Sequence, residues 1–291
     1  MPRAHANGIE LEYEVTGDPD GRPLLLVQGL GAQLVAIEHD FCAGLAARGF
    51  RVVRFDNRDV GLSTRLDGAP APNFAAVWEG DRSTLAYTLE DMADDAAGLL
   101  DALQIPSAHL AGISLGGMIA QLLAIRHPAK VLSLASIMST TGERRVGQAS
   151  AEGAGVLFTP MPAERDRFLE QAVANARAAG AGTAFPFDAE ASRRAAARSY
   201  DRAYYPAGVG RQLAAALAAA DRTEALRSLR VPTLVVHGDA DKIIAVSGGE
   251  ATAAAVPGAR LLLVPGLGHE LPRGVWETLA DAIAENADRA A

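Results

Sequence analysis

Six short apolar runs, at residues 24–27, 52–55, 107–111, 131–138, 233–236 and 261–264, limit what this chain can fold into more than any other feature. Runs that stay apolar at successive positions are expected of strands covered on both faces, not of a half-solvated sheet. Segments of helical length lie between them, centred on residues 41–48, 89–103, 115–127, 248–256 and 275–286. Strands alternating with helices predict an α/β architecture: a mostly parallel central sheet with helices on both faces. One segment differs. Ile9-Glu10-Leu11-Glu12-Tyr13-Glu14-Val15 alternates apolar with acidic residues, which predicts a half-exposed antiparallel edge strand ending at the turn Gly17-Asp18-Pro19-Asp20-Gly21.

The rhythm breaks between Met138 and Thr233, where alanine and arginine become abundant and no strand-like run occurs. The expectation is an α/β core over residues 1–140 and 225–291, interrupted by an inserted helical cap over residues 141–224. Pro160, Pro162, Pro186 and Pro206 cut the insert into pieces of helical length. Around those breaks cluster Phe158, Met161, Phe185, Phe187, Tyr200, Tyr204 and Tyr205. Such side chains serve first as the insert's own core. A helical layer over the edge of a sheet is also where pockets form, so part of this set is expected to face a ligand.

Composition narrows the partners. With 49% apolar residues in 291, the chain can bury a substantial core. Its net charge of −8 and lack of any basic cluster argue against nucleic acid or an anionic membrane as partner, and favour a small neutral or apolar ligand. Cys42 is the single cysteine, so one chain holds neither an internal disulfide nor a thiolate metal cluster. Residues 1–8 lack an apolar signal core and no stretch approaches the length of a membrane span, so the expected location is the cytoplasm. Homo-oligomerisation is left open.

The chemistry begins at Gly112-Ile113-Ser114-Leu115-Gly116-Gly117, which joins the strand-like run at 107–111 to an apolar helix. In a chain with 29 glycines the pattern alone is weak, and its setting carries the argument. A strand that turns sharply into a helix needs small residues on both sides of the serine, and the turn leaves the hydroxyl exposed and rigid. The amide of Leu115 would then sit at a helix N-terminus, where free N–H groups favour a developing negative charge. A second such donor is expected from the loop Gln28-Gly29-Leu30-Gly31-Ala32-Gln33 after the first parallel strand.

A serine needs a base. Of His5, His39, His109, His127, His237 and His269, only His269 follows a strand through a flexible turn, Pro265-Gly266-Leu267-Gly268, at the strand's carboxyl end, where ligand chemistry collects in open α/β sheets. His109 lies inside a strand and His127 ends a helix, and both read as structural; His237 ends a strand too, but precedes a loop richer in acids than in space for a base. That loop, Gly238-Asp239-Ala240-Asp241, offers two carboxylates to orient the base, and residue type alone does not choose between them.

Together these motifs resemble the α/β-hydrolase superfamily over nearly the whole chain. Gly112-Ile113-Ser114-Leu115-Gly116 looks like its nucleophile elbow, His237-Gly238-Asp239-Ala240-Asp241 like its H-G-x-x-D acid loop, and Gly268-His269 like its terminal G-H. The resemblance implies a triad of Ser114, Asp241 and His269, with Asp241 preferred to Asp239 because the last aspartate of that loop is the usual acid. It implies backbone oxyanion donors at Leu30 and Leu115, and no metal or organic cofactor. The segment from Phe55 to Ser63 resembles the family's D-x-R-G-x-G-x-S turn, with Asp59 where glycine is common and Gln28 where the oxyanion loop often has histidine. A serine at the elbow separates the chain from the epoxide hydrolases and haloalkane dehalogenases, which place aspartate there. Val27-Gln28-Gly29, Arg54-Phe55-Asp56-Asn57-Arg58-Asp59 and Tyr204-Tyr205-Pro206 are similar to bacterial esterases related to aclacinomycin methylesterase. The implied activity is hydrolysis of a carboxylic ester through an acyl-enzyme. Acyl transfer, perhydrolysis and carbon–carbon bond hydrolysis use the same machinery, and a ligand receptor retaining this fold is the reading of a different class.

Overall fold

The computed structural model describes residues 2–180 and 184–290, so the expected core boundaries at Met1 and Ala291 and positions 181–183 of the expected insert lie outside the described residues. Eight strands appear among them: β1 (Arg3–Ala6), β2 (Ile9–Thr16), β3 (Arg22–Val27), β4 (Phe50–Phe55), β5 (Ala108–Ile113), β6 (Val131–Ile137), β7 (Thr233–Gly238) and β8 (Arg260–Val264). They form one sheet in the order β1-β2-β4-β3-β5-β6-β7-β8. The first two join antiparallel, and every pairing from β4 to β8 is parallel.

Around the sheet run α1 (His39–Ala46), α2 (Phe74–Trp78), α3 (Leu89–Ala102), α4 (Leu115–Arg126), α5 (Ala151–Phe158), α6 (Arg165–Ala178), α7 (Ala189–Ala203), α8 (Pro206–Ala218), α9 (Thr223–Leu226), α10 (Ser247–Ala255) and α11 (Trp276–Asp288). Alternate residues of the parallel strands supply two separate cores. Leu25, Val27, Val53, Leu110 and Leu134 face α3 and α4, whereas Leu24, Leu26, Val52, Ala135 and Val236 face α1 and α11. A sheet covered in this way on both faces needs apolar residues at both alternations, which is the pattern the sequence carries. Helix α3 starts at a reciprocal cap between Thr88 and Asp91 and turns Leu89, Met92, Ala96, Leu99 and Leu100 into the first core.

Two expectations about the sheet edges are corrected. The edge strand is β1, not β2: Asn7 and Gly8, at φ 47° and 79°, make a two-residue turn that pairs β1 onto β2 and leaves β2 between β1 and β4. The other edge is β8, and its run is not covered on both faces, because Leu261 and Leu263 remain 39% and 44% exposed.

The chain between β6 and β7 is helical, from α5 through α9, and buried polar contacts fasten it to the loops at the carboxyl ends of β3 and β4. Arg211 of α8 grips Asp59 with two hydrogen bonds of 2.7 and 3.0 Å, both side chains almost fully buried. Stranding either charge there would cost about 3–5 kcal/mol. Asp59 has φ 66°, the left-handed backbone that explains why glycine is common at this turn. Here the aspartate's carboxylate gains Arg211 and the Leu66 N–H at 2.7 Å. Gln212 bridges two loops, accepting from the Gly31 N–H at 2.9 Å and donating to the Arg58 carbonyl at 2.8 Å. Arg202 of α7 reaches Asp56 at 2.7 Å and Gln33 at 2.8 Å.

Candidate active site

Ser114 sits between β5 and α4 at φ 57° and ψ −120°. For a residue with a side chain this backbone costs about 1–3 kcal/mol, and it persists because the surroundings over-determine it. Its N–H donates to the Ile137 carbonyl at 2.9 Å, and its own carbonyl accepts from Gly117 at 2.9 Å. The neighbouring glycines are required by close approach. A Cβ on Gly116 would stand 2.0 Å from the Val27 carbonyl oxygen, and one on Gly112 would stand 2.2 Å from that of Gly116.

The three side chains expected to act together do meet, across 155 residues of sequence. Ser114 Oγ lies 2.9 Å from His269 Nε2, and His269 Nδ1 lies 2.7 Å from Asp241 Oδ2. A carboxylate only accepts, so Nδ1 carries the proton and Nε2 is left to accept from the serine hydroxyl. Asp241 is held on its other side by the N–H groups of Ile243 and Ile244, each donating to Oδ1 at 2.9 Å. Burial raises its carboxyl, but hydrogen bonds from His237 and His269 outweigh that and bring it down to about 2. Asp239, the alternative on the same loop, points elsewhere: its Oδ1 accepts from the Gly266 N–H at 2.5 Å and braces the turn before His269.

The loop after β3 abuts the serine, since a Cβ at Gly29 would come 3.3 Å from Ser114 Cβ. Among the described residues, the N–H groups of Leu30, in that loop, and of Leu115, the first residue of α4, have no protein acceptor. Two donors left free beside a serine can receive negative charge on a carbonyl oxygen.

His109 and His127 are engaged elsewhere. His109 bonds Ser133 Oγ at 2.9 Å and is pushed down to about 4, mainly by burial; His127 pairs with Asp94 at 2.7 Å. Sequence reasoning missed two supports. The Ala179 carbonyl at the end of α6 accepts from the His269 N–H at 3.0 Å, and His237 approaches Asp241 to 3.4 Å. No sequence pattern announces either one, because each depends on how distant loops pack.

Ser114 and His269 open into a cavity of about 690 Å³ under α5 to α8. Phe158, Met161, Tyr204 and Tyr205 line it as expected of that cluster, and Tyr200 does as well. Phe168, Tyr200 and Tyr204 form an aromatic wall with ring centroids 5.0–5.8 Å apart. Phe185 and Phe187 are not among the lining residues, which corrects their expected place in a pocket. Phe185 packs on the second core beside Gly274, and Phe187 lies under the Arg177 guanidinium.

The chain belongs to the α/β-hydrolase fold family, whose model matches residues 22–272. Within it, the chain is 30% identical to the rhodomycin D methylesterase of Streptomyces peucetius over 94% of each protein. Among solved structures, an esterase from Rhodococcus sp. ECU1013 superposes with a TM-score of 0.75 at 22% identity, covering 100% of this chain and 99% of that one, a likeness of fold. The enol-lactonase of Burkholderia xenovorans LB400 does so with a TM-score of 0.68 at 25% identity, over 99% of each. No helix among the described residues is long and apolar enough to cross a membrane.

Proposed function

We propose that the protein is a carboxylic ester hydrolase that works through an acyl-enzyme on Ser114. The observation that carries the reading is the alignment of Ser114 Oγ, His269 and Asp241 at the floor of an apolar cavity. Ser114 Oγ attacks the ester carbonyl carbon while its proton passes to His269 Nε2, and the N–H groups of Leu30 and Leu115 take up the charge on the carbonyl oxygen. Asp241 stabilises the imidazolium. His269 then gives the proton to the leaving alcohol. Water, deprotonated by the same nitrogen, cleaves the acyl-enzyme and releases the acid.

Helices α5 to α8, with the rest of residues 141–224, form the cap in this reading, and the core comprises residues 1–140 and 225–291. Glu270 is the one formally charged side chain among the described residues lining the cavity, and that lining includes no lysine or arginine. A carboxylate-bearing substrate would therefore lose its hydration without gaining a cation, whereas a neutral aromatic ester would find the wall of Phe168, Tyr200 and Tyr204. The activity of the methylesterase relatives supports an aromatic methyl ester as the substrate to try first. A small-molecule ester is the one partner this chemistry needs, the machinery calls for no cofactor, and the proposed location is the cytoplasm.

Fluorophosphonate treatment followed by peptide mass mapping is expected to place the label on Ser114. Turnover should then be measured across p-nitrophenyl esters of graded acyl length beside an aromatic polyketide methyl ester. Multiple turnovers are expected; stoichiometric binding without turnover would favour the receptor reading and sink this one.

Phe158 and Phe185 separate pocket from packing. Phe158 is 49% exposed and lines the cavity, so Phe158→Ala should change relative kcat/KM among the esters by about ten- to two-hundredfold with little change in Tm. Phe185→Ala should lower Tm and leave preference fixed. An unchanged preference in the Phe158 variant would mean that selection is made elsewhere in the cavity.

A further inference from the structure

His237 is the penultimate residue of β7, four residues before Asp241, and its side chain is fully buried. Its Nε2 lies 2.8 Å from the Ile244 carbonyl oxygen and 3.4 Å from Asp241 Oδ2, the same oxygen that accepts from His269. A carbonyl oxygen only accepts, so Nε2 bears the proton and donates it to the Ile244 carbonyl, with the Asp241 carboxylate oxygen 3.4 Å away. Nδ1 has no partner among the described residues and carries the ring's lone pair. The ring is clamped from behind by bare backbone, since a Cβ on Gly249 of α10 would stand 2.4 Å from Nδ1.

We infer that His237 is a positioning residue for the triad: its Nε2–H draws charge from Asp241 Oδ2 and so sets how strongly Asp241 holds the proton on His269. This rests on the triad reading given above. Asp241 accepts three hydrogen bonds, two from backbone N–H groups on Oδ1 and one from His269 on Oδ2, and the His237 N–H stands 3.4 Å from Oδ2 as a fourth positive dipole. Glu270, next to His269, lines the same cavity, and the other charged groups around Asp241 are engaged elsewhere. Asp239 is spent on the Gly266 N–H, Lys242 pairs with Glu152 at the surface, Glu250 of α10 is exposed, and β8 presents Leu263 beside His237 in register.

Removing the N–H should concentrate negative charge on Oδ2, stabilise the His269 imidazolium and move the acid limb of kcat/KM to higher pH. One pH unit is a tenfold change in the protonation ratio, and a single N–H held 3.4 Å from a carboxylate oxygen is expected to supply about half a unit. His237→Leu is therefore expected to shift the limb upward by about half a pH unit or more, which lowers activity about threefold at pH values below the limb. His237→Gln, whose amide N–H falls near the position of Nε2, should return the limb most of the way.

A limb that stays at the wild-type position in both variants while Tm falls would overturn the inference and leave His237 a packing residue. Long-range ¹H–¹⁵N spectra of the wild-type protein give a test that survives a Leu variant that does not fold. They should show His237 as the Nε2–H tautomer, and an Nδ1–H tautomer would overturn the proposal. Asp241→Asn separates the two levels. If it leaves activity intact, the triad reading itself fails; if it is severe while the His237 variants leave the limb unmoved, only the inference about His237 fails.

Discussion

Ser114→Ala is expected to lower kcat/KM for a p-nitrophenyl ester by about a thousandfold or more, because nucleophile and base act as one unit and only binding and the oxyanion donors remain. The fold should survive, since the Ser114 backbone is held through the Ile137 carbonyl and the Gly117 N–H and not through its hydroxyl. Alanine keeps the strain at φ 57°. Ser114→Gly should be as inactive but should relieve strain worth about 1–3 kcal/mol, so its Tm is expected to rise by about 2 °C or more. Glycine's extra unfolded-state entropy, about 0.4–1 kcal/mol, offsets part of that gain. Undiminished turnover in the alanine protein would refute the assignment of the nucleophile, and a Ser114→Gly protein that melts lower would mean the turn is not strained as its dihedrals indicate.

Asp241→Asn is expected to be nearly as damaging, with losses up to about ten-thousandfold, because an amide can hold His269 in the wrong tautomer. Asp239→Asn should cost about tenfold or less, since its carboxylate braces the Gly266 N–H and does not touch the base. The reverse order of severity would overturn the choice of acid. Acid unfolding gives a second readout. The folded protein holds Asp241 at about 2, below its ordinary 3.8, so its ionised form stabilises the fold above the higher value. That contribution is lost as pH falls through the lower one. Asp241→Asn removes it, and the variant's stability should depend less steeply on pH between about 4 and 2.

Much of the architecture was legible in the chain because its signals are local. Leu24 to Val27 and Thr233 to Val236 are apolar at both alternations, which commits those strands to the middle of a layered sheet. Gly112, Gly116 and Gly117 mark a turn that no larger residue could make, and they mark it without reference to the rest of the fold. The end of β1 was also written locally, in the turn Asn7-Gly8, but four residues with a histidine and an arginine among them carry too little apolar pattern to read as a strand. The exposure of Leu261 and Leu263 is different, because whether a run of leucines is covered depends on there being a neighbour beyond β8.

Side-chain direction is what tertiary structure alone decided. Asp239 and Asp241 are the same residue type on one loop, and only the path of that loop sends the first to the Gly266 N–H and the second to His269. Phe158 and Phe185 both stand beside prolines, yet one faces a cavity and the other a core, according to which helix lies opposite. His237 reads as a strand residue until α10 packs Gly249 against its ring and turns Nε2 towards Asp241. The sequence by itself determined which segments become strand, helix and tight turn, because propensity, apolar period and glycine act over a few residues. Which side chains share a hydrogen bond across 155 residues was decided by packing, because a hydrogen bond needs its two atoms within about 3 Å and sequence spacing carries no such distance.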